Sequence, residues 1–181
     1  MIQRIHKKSC IRKPNVNLSL SGLYNFYKNE DKRQHINVNL SFQEAADKQG
    51  DIIKPGAVSQ FYNMSTVYGL LFVPQAIHFT ASVNTTYNHV GGKTYWITGP
   101  TLGVRAKVFK KTMLTGMSAS YNVSYNDGTA ENKVLNLRGN VGYIFMKKHN
   151  LTLNAVWQRR ERLEVPVTTA VTTTFAYAYS F

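Results

Sequence analysis

Alternation of apolar and polar residues runs through most of the chain from Asn15 onward and constrains its fold more than any other feature. In the first such stretch the apolar positions are Val16, Leu18, Leu20, Gly22, Tyr24 and Phe26. Side chains of a β-strand alternate between two faces, and no segment here shows a helical period. The pattern therefore predicts an all-β chain.

About nine stretches repeat this pattern, and each has the roughly 9 to 11 residues that a tilted strand needs to cross a bilayer. Their apolar faces are centred on Leu20, Leu40, Tyr68, Phe79, Val104, Tyr121, Val141, Leu153 and Tyr177. Residues 1–14 form a basic N-terminal segment that we interpret as a loop or remnant. Residues 15–181 hold the predicted strands.

The polar positions of these strands are mainly Asn, Ser, Thr and Gly, and charged residues make up only 17% of the chain. A sheet face in contact with water normally carries many charges, whereas a face rich in aromatic residues is an aggregation liability in water. Lipid on the apolar face removes that liability. We therefore predict an antiparallel, up-and-down transmembrane β-barrel with a polar lumen. A soluble lipocalin-like lipid carrier also alternates and is kept as an alternative.

The formal net charge of +13 raises nucleic acid as a partner. Most basic residues fall in predicted turns rather than on one continuous basic and aromatic face, so no nucleic-acid partner is expected. Lipid headgroups at the rim of a membrane are the expected contacts. Cys10 is the only cysteine, and neither a disulfide nor a metal or cofactor site is predicted.

Connection lengths are predicted to alternate, with short turns on the periplasmic side and longer loops outside. The predicted long connections are 46–57, 88–93, 126–132 and 161–168. The predicted short ones are 29–34, 73–75, 109–111 and 147–149.

The chain ends Thr173-Thr174-Phe175-Ala176-Tyr177-Ala178-Tyr179-Ser180-Phe181. This ending resembles the carboxy-terminal β-signal of bacterial outer-membrane barrels, in which alternating aromatics close with a terminal Phe. The resemblance implies recognition of Phe175, Tyr177, Tyr179 and Phe181 by the barrel assembly machinery and location in the bacterial outer membrane. The Asn-rich and Tyr-rich strands with Lys-Lys turns also resemble outer-membrane proteins of Bacteroidota.

Two groups of basic residues are candidate functional sites. Arg105, Lys107 and Arg138 project from the predicted lumenal face, where they either pair with a plug, a loop or further strands, or favour anions. Arg159, Arg160 and Arg162 cluster near the predicted outer rim, where lipopolysaccharide contact and plain solvation are both open. His78 and Ser82 lack an acidic partner at an evident spacing and make a weak candidate for catalysis.

An odd count of about nine strands leaves the two chain ends on opposite sides of the membrane, unlike single-chain bacterial barrels. We therefore expect the carboxy-terminal part of a larger barrel, forming an open, curved sheet with unpaired edges. Its expected function is membrane anchorage, transport or secretion, without catalysis. A small complete barrel that modifies lipids is the other alternative.

Overall fold

The computed structural model describes residues 11–12, 15–49, 52–109, 112–146 and 148–180, which form a single antiparallel sheet. Its strands are β1 (Ile11–Arg12), β2 (Asn15–Lys28), β3 (Lys32–Gln49), β4 (Ile52–Phe72), β5 (Ile77–Val90), β6 (Lys93–Val108), β7 (Met113–Asn126), β8 (Thr129–Phe145), β9 (His149–Arg162) and β10 (Val165–Tyr179).

Each strand from β2 to β9 pairs with the next one along the chain, so the topology is up-and-down. The short β1 pairs with the far end of β3, where Ile11 lies opposite Gln49. The described residues contain no helix, which confirms the prediction of an all-β antiparallel fold with nine main strands. In this part of the chain no helix is long and apolar enough to cross a membrane.

The sheet is open within the described residues, because β2 pairs only with β3 and β10 pairs only with β9. Every residue of β10 is exposed, and so are residues 16–28 of β2. An open sheet with two unpaired edge strands agrees with the sequence-based expectation. Closure into a barrel is not seen among these strands.

The register keeps apolar and polar residues on separate faces across all nine strands. One cross-strand row on the apolar face contains Tyr24, Ile36, Tyr68, Ala81, Leu102, Ala119, Leu137, Trp157 and Val171. The neighbouring row on the polar face contains Asn37, Val67, Ser82, Thr101, Ser120, Asn136 and Gln158. A register shift between Asn25 and Tyr27 returns Tyr27 to the apolar side, because Tyr27 pairs with Gln34.

The connections predicted to be long are wrong, whereas those predicted to be short are three or four residues long. At one end of the sheet, which we call the Gly91 end, the supposedly long connections β5–β6, β7–β8 and β9–β10 are the dipeptides Gly91–Gly92, Asp127–Gly128 and Leu163–Glu164. The opposite end, called the Ala76 end, has the connections 29–31, 73–76, 109–112 and 146–148. Pairing continues through the segments that were predicted as loops, so the strands are longer and the turns are shorter.

Two of these dipeptides have the backbone geometry that closes a tight hairpin. The φ angles are 59° and 81° at Gly91 and Gly92, and 46° and 82° at Asp127 and Gly128. Positive φ at both central positions defines a type I′ turn, which glycine and aspartate tolerate.

The sheet is a single layer with almost no core. Among the described side chains the only buried hydrophobic residue is Ala46, at 7% exposure, and the only buried polar residue is Asn136, at 9%. Large apolar side chains such as Leu18, Met117 and Val171 keep 68% to 70% of their surface exposed. Within the part of the chain that the structure describes, the apolar face therefore has no protein partner.

Candidate functional site

Aromatic side chains form a belt across the apolar face toward the Gly91 end. Its members are Phe42, Tyr62, Tyr87, Trp96 and Tyr125, which the strand register places in one row from β3 to β7. Ring centroids are 4.8 Å apart for Phe42 and Tyr62, and 5.3 Å apart for Trp96 and Tyr125. We call this row the first belt.

A second belt crosses the same face toward the Ala76 end. Its members are Tyr24, Phe26, Tyr68, Phe72, Phe79, Tyr143, Phe145, His149, Tyr177 and Tyr179. The rings of Phe145 and His149 stack at 4.5 Å, and Phe26 and Tyr68 are 6.1 Å apart. Aliphatic residues such as Met64, Val83 and Leu102 occupy the surface between the two belts and remain exposed.

The second belt runs obliquely to the strand ladder. Tyr24 of β2 lies in the same cross-strand row as Val171 of β10, yet the belt residue on β10 is Tyr179, ~8 residues further along. From β2 to β10 this displacement is about one residue (~3.3 Å) per strand. Because neighbouring strands are ~4.8 Å apart, the line from Tyr24 to Tyr179 is inclined by roughly 35° to the cross-strand direction. The second belt is therefore oblique to the strands, whereas the first belt follows a cross-strand row.

Tyr177 and Tyr179 of the carboxy-terminal ending belong to this second belt, and Phe175 precedes them on the same strand. Phe175, Tyr177 and Tyr179 all lie on the apolar face, opposite Leu153, Leu151 and His149 of β9. The Tyr177 hydroxyl and His149 Nδ1 share a hydrogen bond of 2.9 Å, and the Lys148 Nζ lies 5.9 Å from the Tyr179 ring centroid. Phe181, the last residue of the predicted assembly signal, lies outside the described residues.

The polar face carries a hydrogen-bonded chain of side chains across β7, β8 and β9. The Asn136 amide donates to the Ser120 hydroxyl at 3.3 Å, and Gln158 donates to the Asn136 Oδ1 at 2.7 Å. Arg160 in turn donates to the Gln158 carbonyl oxygen at 3.3 Å. This chain explains why Asn136 can be buried, because its polar atoms are satisfied by neighbours.

Arg105, Lys107 and Arg138 all lie on the polar face, where the sequence placed them, and all three are exposed. The structure divides them. Arg105 and Lys107 lie at the Ala76 end of β6 beside His78, whereas Arg138 lies on β8 opposite Ser118. Arg138 is thus two strands away from Arg105.

The three arginines of β9 do not share one surface. Arg159 lies on the apolar face opposite Leu135, and its guanidinium is 2.8 Å from the Glu161 carboxylate. Arg160 and Arg162 lie on the polar face opposite Val134 and Asn132. Alternation along an extended strand separates them, although all three lie near the Gly91 end.

His78 and Ser82 cannot act together, because i and i+4 residues of an extended strand are roughly 13 Å apart. His78 instead faces His35 of β3, with ring centroids 6.1 Å apart. Among the described residues, no group of three His, Cys, Asp or Glu side chains is placed to hold a metal ion.

Sequence reasoning missed the approach of His35 to His78, because it depends on the register of three strands. Gly69, a glycine inside a predicted strand, was the one sequence feature that pointed to a close approach at this place. In the structure a Cβ at that position would lie 2.2 Å from the His35 ring. The absence of a side chain on β4 lets the His35 ring lie across it.

No protein-family model, no curated protein and no solved structure matches this chain.

Proposed function

We propose that this chain forms nine consecutive strands of a transmembrane β-barrel in the bacterial outer membrane. The observation that carries the proposal is the pair of aromatic belts on one exposed face, with an aliphatic band between them. Barrels of this class carry an outward apolar band about 25 Å tall between two aromatic girdles.

The separation of the belts fits a bilayer. On β4, Tyr62 of the first belt lies ~6 residues from Tyr68 and ~10 residues from Phe72 of the second belt, which is about 20 to 33 Å along the strand. Strands tilted by roughly 35° to 45° convert this length to about 14 to 27 Å along the membrane normal, and the upper part of that range matches the apolar band.

The polar face suits the lumen of such a barrel. Arg138 stands between Leu137 and Gly139, at the level of the aliphatic band on the opposite face. A lipid-facing arginine at that depth costs about 2 to 4 kcal/mol, whereas a lumenal arginine remains hydrated. The natural position of Arg138 therefore supports lipid on the apolar face and water on the polar face.

The unpaired edges support a larger assembly. Among the described strands none pairs with the outer side of β2 or of β10, and unpaired edges are costly in a bilayer. We propose that further strands pair with these edges and that this chain contributes the carboxy-terminal part of the barrel. The barrel assembly machinery would read Phe175, Tyr177, Tyr179 and Phe181.

We assign to this barrel anchorage in, or passage of solutes or proteins across, the outer membrane, and no catalysis. The lumen is polar and partly basic through Arg105, Lys107 and Arg138. On the outer surface, Arg159 is the only one of the three β9 arginines that faces lipid, so it is the one placed to contact lipopolysaccharide.

Depth-resolved fluorescence quenching tests the face assignment. Both tryptophans are first replaced by phenylalanine, since Trp96 and Trp157 are the only two in the chain. A single tryptophan is then introduced at Phe175, on the apolar face, or at Thr174, on the polar face. Both positions are exposed on the same strand, so the two variants form a matched pair.

In vesicles that contain acyl-brominated lipid, we expect strong quenching for Phe175→Trp and weak quenching for Thr174→Trp. Iodide in the aqueous phase should show the reverse order. Recovery of the protein in a detergent-free soluble fraction, with no bromolipid quenching of either variant, would favour the soluble carrier and refute the proposal.

A further inference from the structure

A pocket of about 420 Å³ opens on the polar face at the Ala76 end of the sheet. Three nitrogen-bearing side chains and three apolar ones matter to its chemistry: His78, Arg105, Lys107, Leu71, Val73 and Leu114. The pocket thus combines cationic and apolar walls.

Strand register brings the three nitrogen-bearing side chains together. His78 of β5 and Arg105 of β6 are direct cross-strand partners, and Lys107 follows Arg105 on the same face. The backbone N–H of Lys107 donates to the Ala76 carbonyl at 3.1 Å, which fixes the β4–β5 turn against β6. The turn therefore forms one wall of the pocket.

Two glycines leave room for the long side chains. The His35 ring lies across Gly69 and reaches His78. Gly116 of β7 is the cross-strand partner of Arg105, and a Cβ there would lie 3.3 Å from the Arg105 Cγ. Without a side chain at Gly69 the His35 ring can lie beside His78, and without one at Gly116 the Arg105 stem can lie along the sheet.

No carboxylate lines this pocket among the described residues. A further cation, Arg33 of β3, lies on the same face, two strands from His78 with Leu71 between them. The ion pair of Arg159 and Glu161 lies on β9, away from the pocket. The positive charge of Arg105 and Lys107 is thus left for a ligand to neutralise.

We propose that this pocket binds a small amphipathic carboxylate. Arginine presents paired N–H donors that match the two oxygens of a carboxylate, and a neighbouring lysine adds a second charge-assisted contact. Leu71, Val73 and Leu114 receive the apolar part of the ligand. This inference rests on the proposed function in one respect only, because the barrel proposal is what places the pocket in the lumen.

Hexanoate is the probe that tests this site, with hexylamine and 1-hexanol as ligands of matched chain length. The full chain is held in non-ionic detergent micelles, and binding is followed by the ring-proton NMR signals of His78, assigned with His78→Gln. We expect saturable shifts with hexanoate and weaker or no shifts with hexylamine and hexanol.

Removing the Arg105 charge should weaken hexanoate binding by about tenfold or more, because a charge-assisted hydrogen bond is lost. Arg105→Gln makes this change, and Lys93→Gln, at the Gly91 end, removes one charge without touching the pocket and should leave the affinity unaltered. Lys107→Gln replaces Arg105→Gln if the latter fails to fold, as judged by circular dichroism.

Equal affinity for hexanol and hexanoate, or an unchanged affinity in a folded Arg105→Gln or Lys107→Gln variant, would overturn the proposal. Tryptophan quenching by brominated lipid reports separately on the membrane proposal. A protein that passes the quenching test and does not bind hexanoate would refute the pocket assignment alone.

Discussion

Placing an arginine at Leu153 tests the identity of the medium that contacts the apolar face. Leu153 stands on β9 midway between His149 of the second belt and Trp157, the aromatic residue nearer the Gly91 end. It keeps 45% of its surface exposed, so little of the effect can come from packing lost within the protein. The cost of Leu153→Arg is therefore dominated by transfer of the guanidinium into the surrounding medium.

If that medium is the middle of a bilayer, the free energy of unfolding should fall by about 2 to 4 kcal/mol. This loss corresponds to a decrease of roughly 30-fold to 700-fold in the folding equilibrium constant. Asn154→Arg is the matched control, because Asn154 is the next residue and lies on the polar face opposite Asn140 and Thr174. It should change stability by no more than about 1 kcal/mol.

Reversible unfolding by guanidinium chloride in lipid vesicles, followed by tryptophan fluorescence, gives the free energy of unfolding of each variant. The reasoning predicts a large difference between the two neighbouring sites in lipid. Equal losses at Leu153 and Asn154 would refute the face assignment and, with it, the claim that the sheet separates lipid from water.

Three further predictions concern a turn, a polar chain and the carboxy-terminal aromatics. Gly128→Ala should destabilise the protein by about 1 to 2 kcal/mol, because φ is 82° there. Gly139→Ala should be near neutral, because a Cβ there would meet nothing within 4 Å. Chemical denaturation measures both changes. Asn136→Ala should cost about 1 to 3 kcal/mol in the same assay, because it leaves two hydrogen-bonding neighbours unpaired. Tyr177→Ala with Tyr179→Ala should reduce insertion into the outer membrane, measured as heat-modifiable migration on gels.

Matched changes provide the controls. Val165→Ala with Val167→Ala removes exposed apolar side chains from the other end of β10, and normal assembly is expected. Asn84→Ala alters an exposed asparagine of the polar face and should cost less than Asn136→Ala. Normal assembly of the double tyrosine variant, or equal losses at Asn84 and Asn136, would contradict the corresponding prediction.

Which residues share a face of each strand could be predicted from the sequence. Alternation is a local property of an extended backbone, so the lists of apolar and polar positions could be read without knowing any partner strand. The placement of Arg105, Lys107 and Arg138 on the polar face followed from that rule. The same rule, applied to Arg159 and Arg160, would have placed them on opposite faces.

The long connections were a failure of a different kind. Gly91-Gly92 and Asp127-Gly128 are strong signals for two-residue hairpin turns, yet these segments were predicted as longer loops because transmembrane barrels alternate short turns with long loops. Polar residues near a turn remain compatible with paired strands when those strands extend beyond the apolar band. The local turn signal was the better guide.

Contacts between residues of different strands could not be predicted from the sequence. Three features depend on strand register: the approach of His35 to His78 over Gly69, the single row of the first belt and the hydrogen-bonded chain from Ser120 to Arg160. Register is set by the length of every turn and by irregularities such as the shift between Asn25 and Tyr27. A displacement by even one residue exchanges the faces of a strand, so contacts between strands cannot be obtained from each strand alone.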